Sequence, residues 1–370
     1  MIPLVDLYAQ HKNLKDELFS KIEEVINKSA FIQGEYVEEF QESFASLLNV
    51  NYCVGCSSGT SALSIALEVL GIKEGDEVIT TPLTFFATVE AIIHVKAKPV
   101  FVDIDPLTFN INVNNIEKVI NEKTRAIIPV HIYGNPVNMK KILELGSKYN
   151  LKIIEDCAQA HLAKIDDRYV GTFGDISAFS FFPGKNIGAM GDAGAIVTNN
   201  REYYEKSKML VDHGRREKYL HEMVGYNHRL DGLQAAILSV KLKYLREWTE
   251  KRIVNANLYK KLLSECNNVQ FQQIEKNAIH VYHLFVIRIK KRDELIKYLK
   301  NEGINTSIHY PVPLHLQPAL SYLGYKKGDL PVVEEVCNEI LSLPMYPELE
   351  KSKIEVICEK IKNFMEMYNV

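Results

Sequence analysis

Between Tyr52 and Phe182 short apolar runs alternate with amphipathic ones. Tyr52–Val54, Glu77–Thr80, Pro99–Asp103, Ala126–Ile132, Lys152–Asp156 and Ile176–Phe182 read as strands. Ser61–Leu67, Ala87–Val95 and Met139–Tyr149 fall between them with apolar residues at helical spacing. This alternation predicts an α/β domain with a largely parallel sheet. Ahead of it, Asp6–Leu48 reads as polar and helical, with a break at Phe31-Ile32-Gln33-Gly34. Past Asp212 the pattern changes. Gly225–Asp231 leads into an amphipathic stretch, Leu233–Leu263, predicted to be a long and bent helix. A strand over His280–Ile289, a helix over Arg292–Asn301, a strand over Ile304–Tyr310 and helices over Val332–Leu341 and Ser352–Met367 complete a smaller α+β unit. The expected division is a large domain over residues 1–250, N-terminal helical segment included, and a small C-terminal domain over 251–370.

A length of 370 residues suits two domains with a large buried core. Basic and acidic side chains, 44 against 47, leave a net charge of −3, which gives no electrostatic footprint for nucleic acid or an anionic membrane. The N-terminal residues lack a basic segment followed by an apolar one, so no secretory signal is expected. No run approaches the roughly 18 apolar residues of a membrane span. The expectation is a soluble, cytoplasmic protein. Six scattered cysteines suit a reducing compartment. Cys53-Val54-Gly55-Cys56 has redox or half-zinc-site spacing, but no second pair or His-x-x-x-His completes a metal site. Small apolar residues at a strand end are the simpler reading, and no metal is expected.

In open α/β sheets ligands gather beyond the carboxyl ends of the strands. Four segments stand there. Ser57-Ser58-Gly59-Thr60 opens a helix, whose free N–H groups and dipole would suit a phosphate, although taken alone a plain N-cap is the simpler reading. Phe85 follows the Glu77 strand and could cover one face of a ring, or simply fill core. Ile153-Ile154-Glu155-Asp156-Cys157-Ala158-Gln159-Ala160-His161 delivers two carboxylates, a glutamine and a histidine from a buried strand. Adjacent strand residues point to opposite faces, so the pair is not a metal or glycosidase couple, and Asp156 is the one expected to face the site. Its buried charge calls for a cationic partner. Ser180-Phe181-Phe182-Pro183-Gly184-Lys185 ends a strand on a lysine-bearing turn before a glycine-rich passage.

Each piece alone has an ordinary explanation; their coincidence in one domain does not. A lysine on a turn, an aspartate at a strand end and a phosphate-type helix start are the parts needed for pyridoxal 5'-phosphate. Lys185 would form the Schiff base and shuttle protons, and Asp156 would keep the pyridine nitrogen protonated. A nicotinamide oxidoreductase would require a complete glycine fingerprint after the first strand, which Cys56–Thr60 lacks.

The motifs, in order, resemble the DegT/DnrJ/EryC1/StrS family of sugar aminotransferases. They include Pro3–Leu7, Phe31–Gly34, Ser58-Gly59-Thr60, Glu155-Asp156-x-Ala158-Gln159-Ala160-His161, Ser180–Lys185, Gly225-Tyr226-Asn227-x-Arg229-x-Asp231, His309-Tyr310-Pro311-x-Pro313-x-His315 and Leu341–Met345. The resemblance implies a fold-type I, homodimeric, pyridoxal-phosphate-dependent aminotransferase. It implies that Gln159 approaches the ring hydroxyl, that Ser58, Gly59, Thr60 and Ser180 bind the phosphate, and that Phe85 stacks on the ring. It further implies that Asn227 reaches the phosphate in the neighbouring subunit, placing the sites at a dimer interface. Arg229, His309 and Tyr310 become candidates for the nucleotide-sugar. Retention of Lys185 argues against the branch in which histidine replaces it. The implied reaction moves an amino group from L-glutamate to a nucleotide-linked keto sugar. The Pro311–Pro318 form resembles enzymes acting on dTDP-3-keto-6-deoxyhexoses. A 4-keto or UDP-linked substrate is the nearest alternative, and a non-turnover regulatory protein on the same fold is a further one. Leu162 departs from the family, which often has glycine there, and Met190 occupies a position that is often aromatic.

Overall fold

A computed structural model describes residues 1–368. Seven strands form the central sheet: β1 (Tyr52–Cys56), β2 (Glu77–Thr80), β3 (Lys98–Phe101), β4 (Thr124–Ile128), β5 (Lys152–Asp156), β6 (Ile176–Ser180) and β7 (Gly194–Thr198). Their order is β1-β7-β6-β5-β4-β2-β3. All run parallel except β7, which pairs antiparallel with both β1 and β6. The expected parallel sheet is therefore present with one reversed strand. That strand follows the glycine run closely, and its short Ala195-Ile196-Val197 core was not read from the sequence as a strand.

Helices cover both faces, as the continuously apolar strands require. Gly59–Val69, Ala87–His94 and Arg201–Val211 lie on one side, where Ala62, Ile65, Ala66, Ile92 and Leu210 pack with Ile154 and Ile196. Met139–Tyr149 packs on the other through Ile142 and Leu145 against Ile127 and Ile153. Neighbours Ile153 and Ile154 thus enter opposite cores, which fixes the faces of Glu155 and Asp156 that follow. The same alternation separates Cys53 from Cys56. The two thiols enter different apolar clusters, both are free, and burial pushes both up.

The smaller unit centres on an antiparallel sheet of Gln270–Phe271, Phe285–Arg288 and Ile340–Leu343, backed by Arg292–Asn301 and Lys351–Tyr368. Three expectations change here. The strand expected over His280–Ile289 is regular only at Phe285–Arg288. The ring of His280 accepts the Tyr282 N–H through Nδ1 at 2.9 Å, and Tyr282 takes φ +45°, so a side chain outcompetes the ladder. The strand expected over Ile304–Tyr310 reduces to single bridges, Ile2 with Ile304 and Ser307 with Ser342. The helix expected to end at Leu341 stops at Glu339, because Ile340–Leu343 alternates between two apolar clusters and pairs with Phe285–Arg288. The long helical stretch is broken at Lys243-Tyr244 into Gly232–Leu242 and Leu245–Leu262. Residue 250 lies within the second helix, whose Leu245 and Trp248 pack with the large unit and whose Ala256 and Tyr259 pack with the small one.

Candidate active site

The strand ends converge as the topology dictates. Asp156 closes β5 with its carboxylate buried on the face of Ala87–His94, and Thr88 of that helix donates its hydroxyl to Oδ2 at 2.8 Å. Thr84, four residues earlier in the turn before that helix, has its hydroxyl 3.0 Å from that of Thr88. Oδ1 accepts the Ala158 N–H at 3.1 Å. Burial pushes the Asp156 carboxyl up, and these donors together with the Lys185 ammonium pull against that rise. Glu155 points to the opposite face, as alternation requires. It accepts N–H groups from Gly171, Phe173 and Gly174 and faces His131 Nε2 at 3.1 Å. His131 Nδ1 accepts the Val137 N–H, so Nε2 carries the proton and donates to Glu155. The buried His131–Glu155–Cys157 group thus has its His and Glu atoms engaged within the protein, and it anchors β5 from behind.

Lys185 stands on the turn after β6, its N–H bonded to the Phe182 carbonyl at 2.9 Å. Burial pulls its amine down to about 8, against the raising effect of Asp156. The two groups sense each other yet form no ion pair among the described residues. His161, with both ring nitrogens buried and without hydrogen bonds, is pulled down to about 3 by burial and by Lys185. His309 is pulled down to about 4 for the same two reasons, and its Nδ1 meets Ser342 Oγ at 2.8 Å. Lys185 therefore sits among neutral imidazoles, with Asp156 as the anion that bears on it.

Gln159 takes the Tyr133 N–H through Oε1 at 2.7 Å and donates Nε2 to the Tyr310 hydroxyl at 3.2 Å. Tyr133 in turn donates its hydroxyl to the His309 carbonyl, so Gln159, Tyr133, His309 and Tyr310 close one ring of contacts. Phe85 is 56% exposed, with its ring centroid 6.0 Å from that of Tyr310. At the far end, Ser58 caps Gly59–Val69 in a capping box with Ser61. Its hydroxyl is thereby used within the helix. The N–H groups of Gly59 and Thr60 have no partner among the described residues, which is the arrangement an anion completes. A Cβ on Gly59 would lie 2.7 Å from that of Ser180, so only glycine lets this helix start close on Ser180.

Two predicted residues lie outside this group. Asn227 is exposed and bridges Asp212 through the backbone. Arg229 pairs with Asp212 at 3.0 Å, beside Gln33 and Arg215 on the same carboxylate. Thr88 and Tyr133 are the contributors that the sequence reading missed. For Thr88 a signal existed: a threonine pair four residues apart at a helix start after a strand. Leu162, where glycine is frequent in the family, takes φ +66°, which for a leucine costs about 1 kcal/mol or more. It packs into the main apolar cluster there. Met190 is partly exposed, its backbone paired with the Gln234 amide.

These residues fit pyridoxal phosphate. Asp156 is a buried carboxylate held by neutral donors, Lys185 is an amine lowered from 10.5 to about 8, and the helix start offers unpaired N–H groups. A doubly wound sheet carrying this set at its strand ends, with a small α+β unit alongside, defines a pyridoxal-phosphate enzyme of the aminotransferase fold. Residues 12–362 match the DegT/DnrJ/EryC1/StrS aminotransferase family, and the chain belongs to it. It is similar to a pleiotropic regulatory protein of Geobacillus stearothermophilus, at 46% identity over 98% of both chains. It is 41% identical to the UDP-N-acetyl-3-dehydro-alpha-D-glucosamine 3-aminotransferase of Acidithiobacillus ferrooxidans, over 98% of this chain and 97% of that one. It is 38% identical to the dTDP-3-amino-3,4,6-trideoxy-alpha-D-glucose transaminase of Streptomyces venezuelae, over 99% and 96%. The crystal structure of S. venezuelae DesV in complex with a ketimine intermediate superposes with a TM-score of 0.97 at 38% identity, covering 99% of this chain and 98% of that one.

Proposed function

We propose that this aminotransferase moves an amino group from L-glutamate to C3 of a nucleotide-linked keto sugar, a dTDP-3-keto-6-deoxyhexose. The observation that carries the catalytic part is Lys185, an amine that burial lowers to about 8 and that feels the charge of Asp156. Pyridoxal phosphate, when bound, supplies an aldehyde for amine exchange and a ring that withdraws electrons. Lys185 would bond the cofactor through its amine and, once displaced, would serve as the base that takes a proton from the amino-bearing carbon and as the acid that gives one back across the nitrogen. Asp156 holds a proton on the pyridine nitrogen, and Thr88 fixes the carboxylate that does so. Gln159, whose amide also holds the Tyr310 hydroxyl, would approach the ring hydroxyl, and Phe85 would cover the ring. Gly59, Thr60 and Ser180 take the phosphate, with Ser58 shaping the helix start.

The choice of C3 is supported by relatives whose names place the amino group there although their nucleotides differ. The UDP-linked relative, which is slightly more similar, favours a UDP-3-keto sugar as the second reading. His309 and Tyr310 beside Lys185 are the sugar contacts, and Arg229 is a nucleotide contact. A homodimer with shared sites is supported by exposed Phe31, Ile32, Phe182 and Tyr226 and by exposed Asn227, which would reach the partner's phosphate. No described helix is long and apolar enough to cross a membrane, in keeping with action in the cytoplasm. Residues 1–250 and 251–370 would form the two domains, joined through the shared helix.

The test offers dTDP-3-keto-, dTDP-4-keto- and UDP-3-keto sugars separately and follows 2-oxoglutarate release from L-glutamate. Turnover is expected with 3-keto sugars, fastest with the dTDP form. Preference for the 4-keto sugar would overturn the regiochemistry. The Lys185 amine gives a second expectation. Only the neutral amine bonds the cofactor, and its pKa is lowered from 10.5 to about 8. Below about pH 8 the rate of cofactor capture should therefore fall about tenfold per unit, and above it the rate should level off. A stopped-flow pH series on cofactor-free protein checks this; a rate still climbing through pH 10 would contradict it.

A further inference from the structure

Lys241 lies in Gly232–Leu242 with its side chain wholly buried, among the least accessible in the protein. No carboxylate pairs with it among the described residues. Its ammonium donates to the Gly188 carbonyl at 2.6 Å and to His11 Nε2 at 2.9 Å. His11, in Leu7–Lys12, is pulled down to about 4 by burial and by Lys241, so its ring is neutral and accepts. Burying an ammonium without an anion is costly, and an apolar side chain of equal length would avoid that cost. The lysine therefore has to be accounted for by what it holds.

What it holds is the far end of the Lys185 turn. Lys185 N–H bonds Phe182 O at 2.9 Å, Ala189 N–H bonds Phe181 O at 2.8 Å, and a Cβ on Gly188 would lie 2.3 Å from Pro183 O. The segment from Phe181 to Ala189 is thus a loop closed by backbone bonds and tightly packed where Gly188 meets Pro183, with Lys185 at its middle. The Gly188 carbonyl is fastened by Lys241 from the helix beneath. Through His11 the same ammonium ties this loop to the N-terminal helix. We infer that Lys241 is a positioning residue for transamination, which fixes the Lys185 turn through the Gly188 carbonyl and so sets the lysine opposite Asp156. The inference rests on Lys185 being the cofactor-bonding amine.

Lys241→Met keeps the length and removes the donors. In the holoenzyme, amide hydrogen exchange over 183–190 should quicken at least about tenfold, while kcat falls about tenfold or more and KM for the sugar stays within about threefold. In the full chain stripped of cofactor, the pH midpoint for acylating Lys185 should move up from about 8, because a loosened turn lets the amine reach water. Exchange, midpoint and kcat all at wild-type values would overturn the inference, even if thermal stability changed. Should the methionine variant fail to fold, Lys241→Gln, which retains a shorter donor, is read instead. A raised midpoint and faster exchange in it support the role, and wild-type values overturn it. A wrong assignment of Lys185 is distinguishable, because it would show as full activity in Lys185→Ala whatever Lys241 variants do.

Discussion

Lys185→Ala is expected to lower turnover by at least about a thousandfold, since it removes both the amine that bonds the cofactor and the base that moves the proton. Borohydride treatment of the wild-type holoenzyme should fix the cofactor's mass on the peptide carrying Lys185, and on no peptide of the variant. The fold should survive, because the Lys185 side chain makes no hydrogen bond or ion pair among the described residues and its turn is held through the backbone. Circular dichroism and the melting transition serve as that control. A variant that kept wild-type turnover would remove Lys185 from the chemistry.

The second large effect belongs to Asp156. In Asp156→Asn the amide oxygen still accepts the Ala158 N–H or the Thr88 hydroxyl, so the geometry is largely kept and the negative charge is lost. Two consequences follow from that one charge. Turnover should drop about a hundredfold to a thousandfold, the size expected when a preorganised electrostatic partner is removed. The Lys185 amine should also titrate below about 8, because Asp156 is what raises it against burial. The sign is fixed: losing a nearby anion favours the neutral amine. A variant with the turnover loss and an unmoved Lys185 midpoint would mean that the two groups are not coupled across the site.

How far the sequence could be read depended on whether a signal was local. The opposite faces of Glu155 and Asp156 follow from strand alternation alone, and Ile153 and Ile154 entering different cores shows the same rule at work one step earlier. The helix opened by Ser58-Gly59-Thr60 was legible from its cap, and Met139–Tyr149 and Arg292–Asn301 from their apolar spacing. Contacts between distant segments left no such trace. Thr88 reaches Asp156 across 68 residues, Tyr133 reaches His309 across 176, and Lys241 reaches Gly188 across 53. A buried lysine inside an apolar helix looks in sequence like a surface residue, so Lys241 carried no signal of its own.

Strand limits failed where a side chain or a second pairing partner competed with the pattern. His280 captures the Tyr282 N–H and ends the ladder early, a local bond that no periodicity reports. Ile340–Leu343 alternates at the end of a helical repeat, where the two periods overlap and only the partner Phe285–Arg288 decides between them. The left-handed backbone at Leu162 shows the reverse case. The position's frequent glycine was a readable hint about φ, and the leucine here accepts the strain while filling the apolar cluster.

The most direct measurement uses L-glutamate labelled with nitrogen-15, wild-type holoenzyme and a dTDP-3-keto-6-deoxyhexose made in situ. The product is examined by nuclear magnetic resonance and mass spectrometry. One labelled nitrogen is expected on C3 of the sugar, with 2-oxoglutarate formed in equal amount. Label on C4, or a keto sugar left unaminated by protein with cofactor bound, would contradict it.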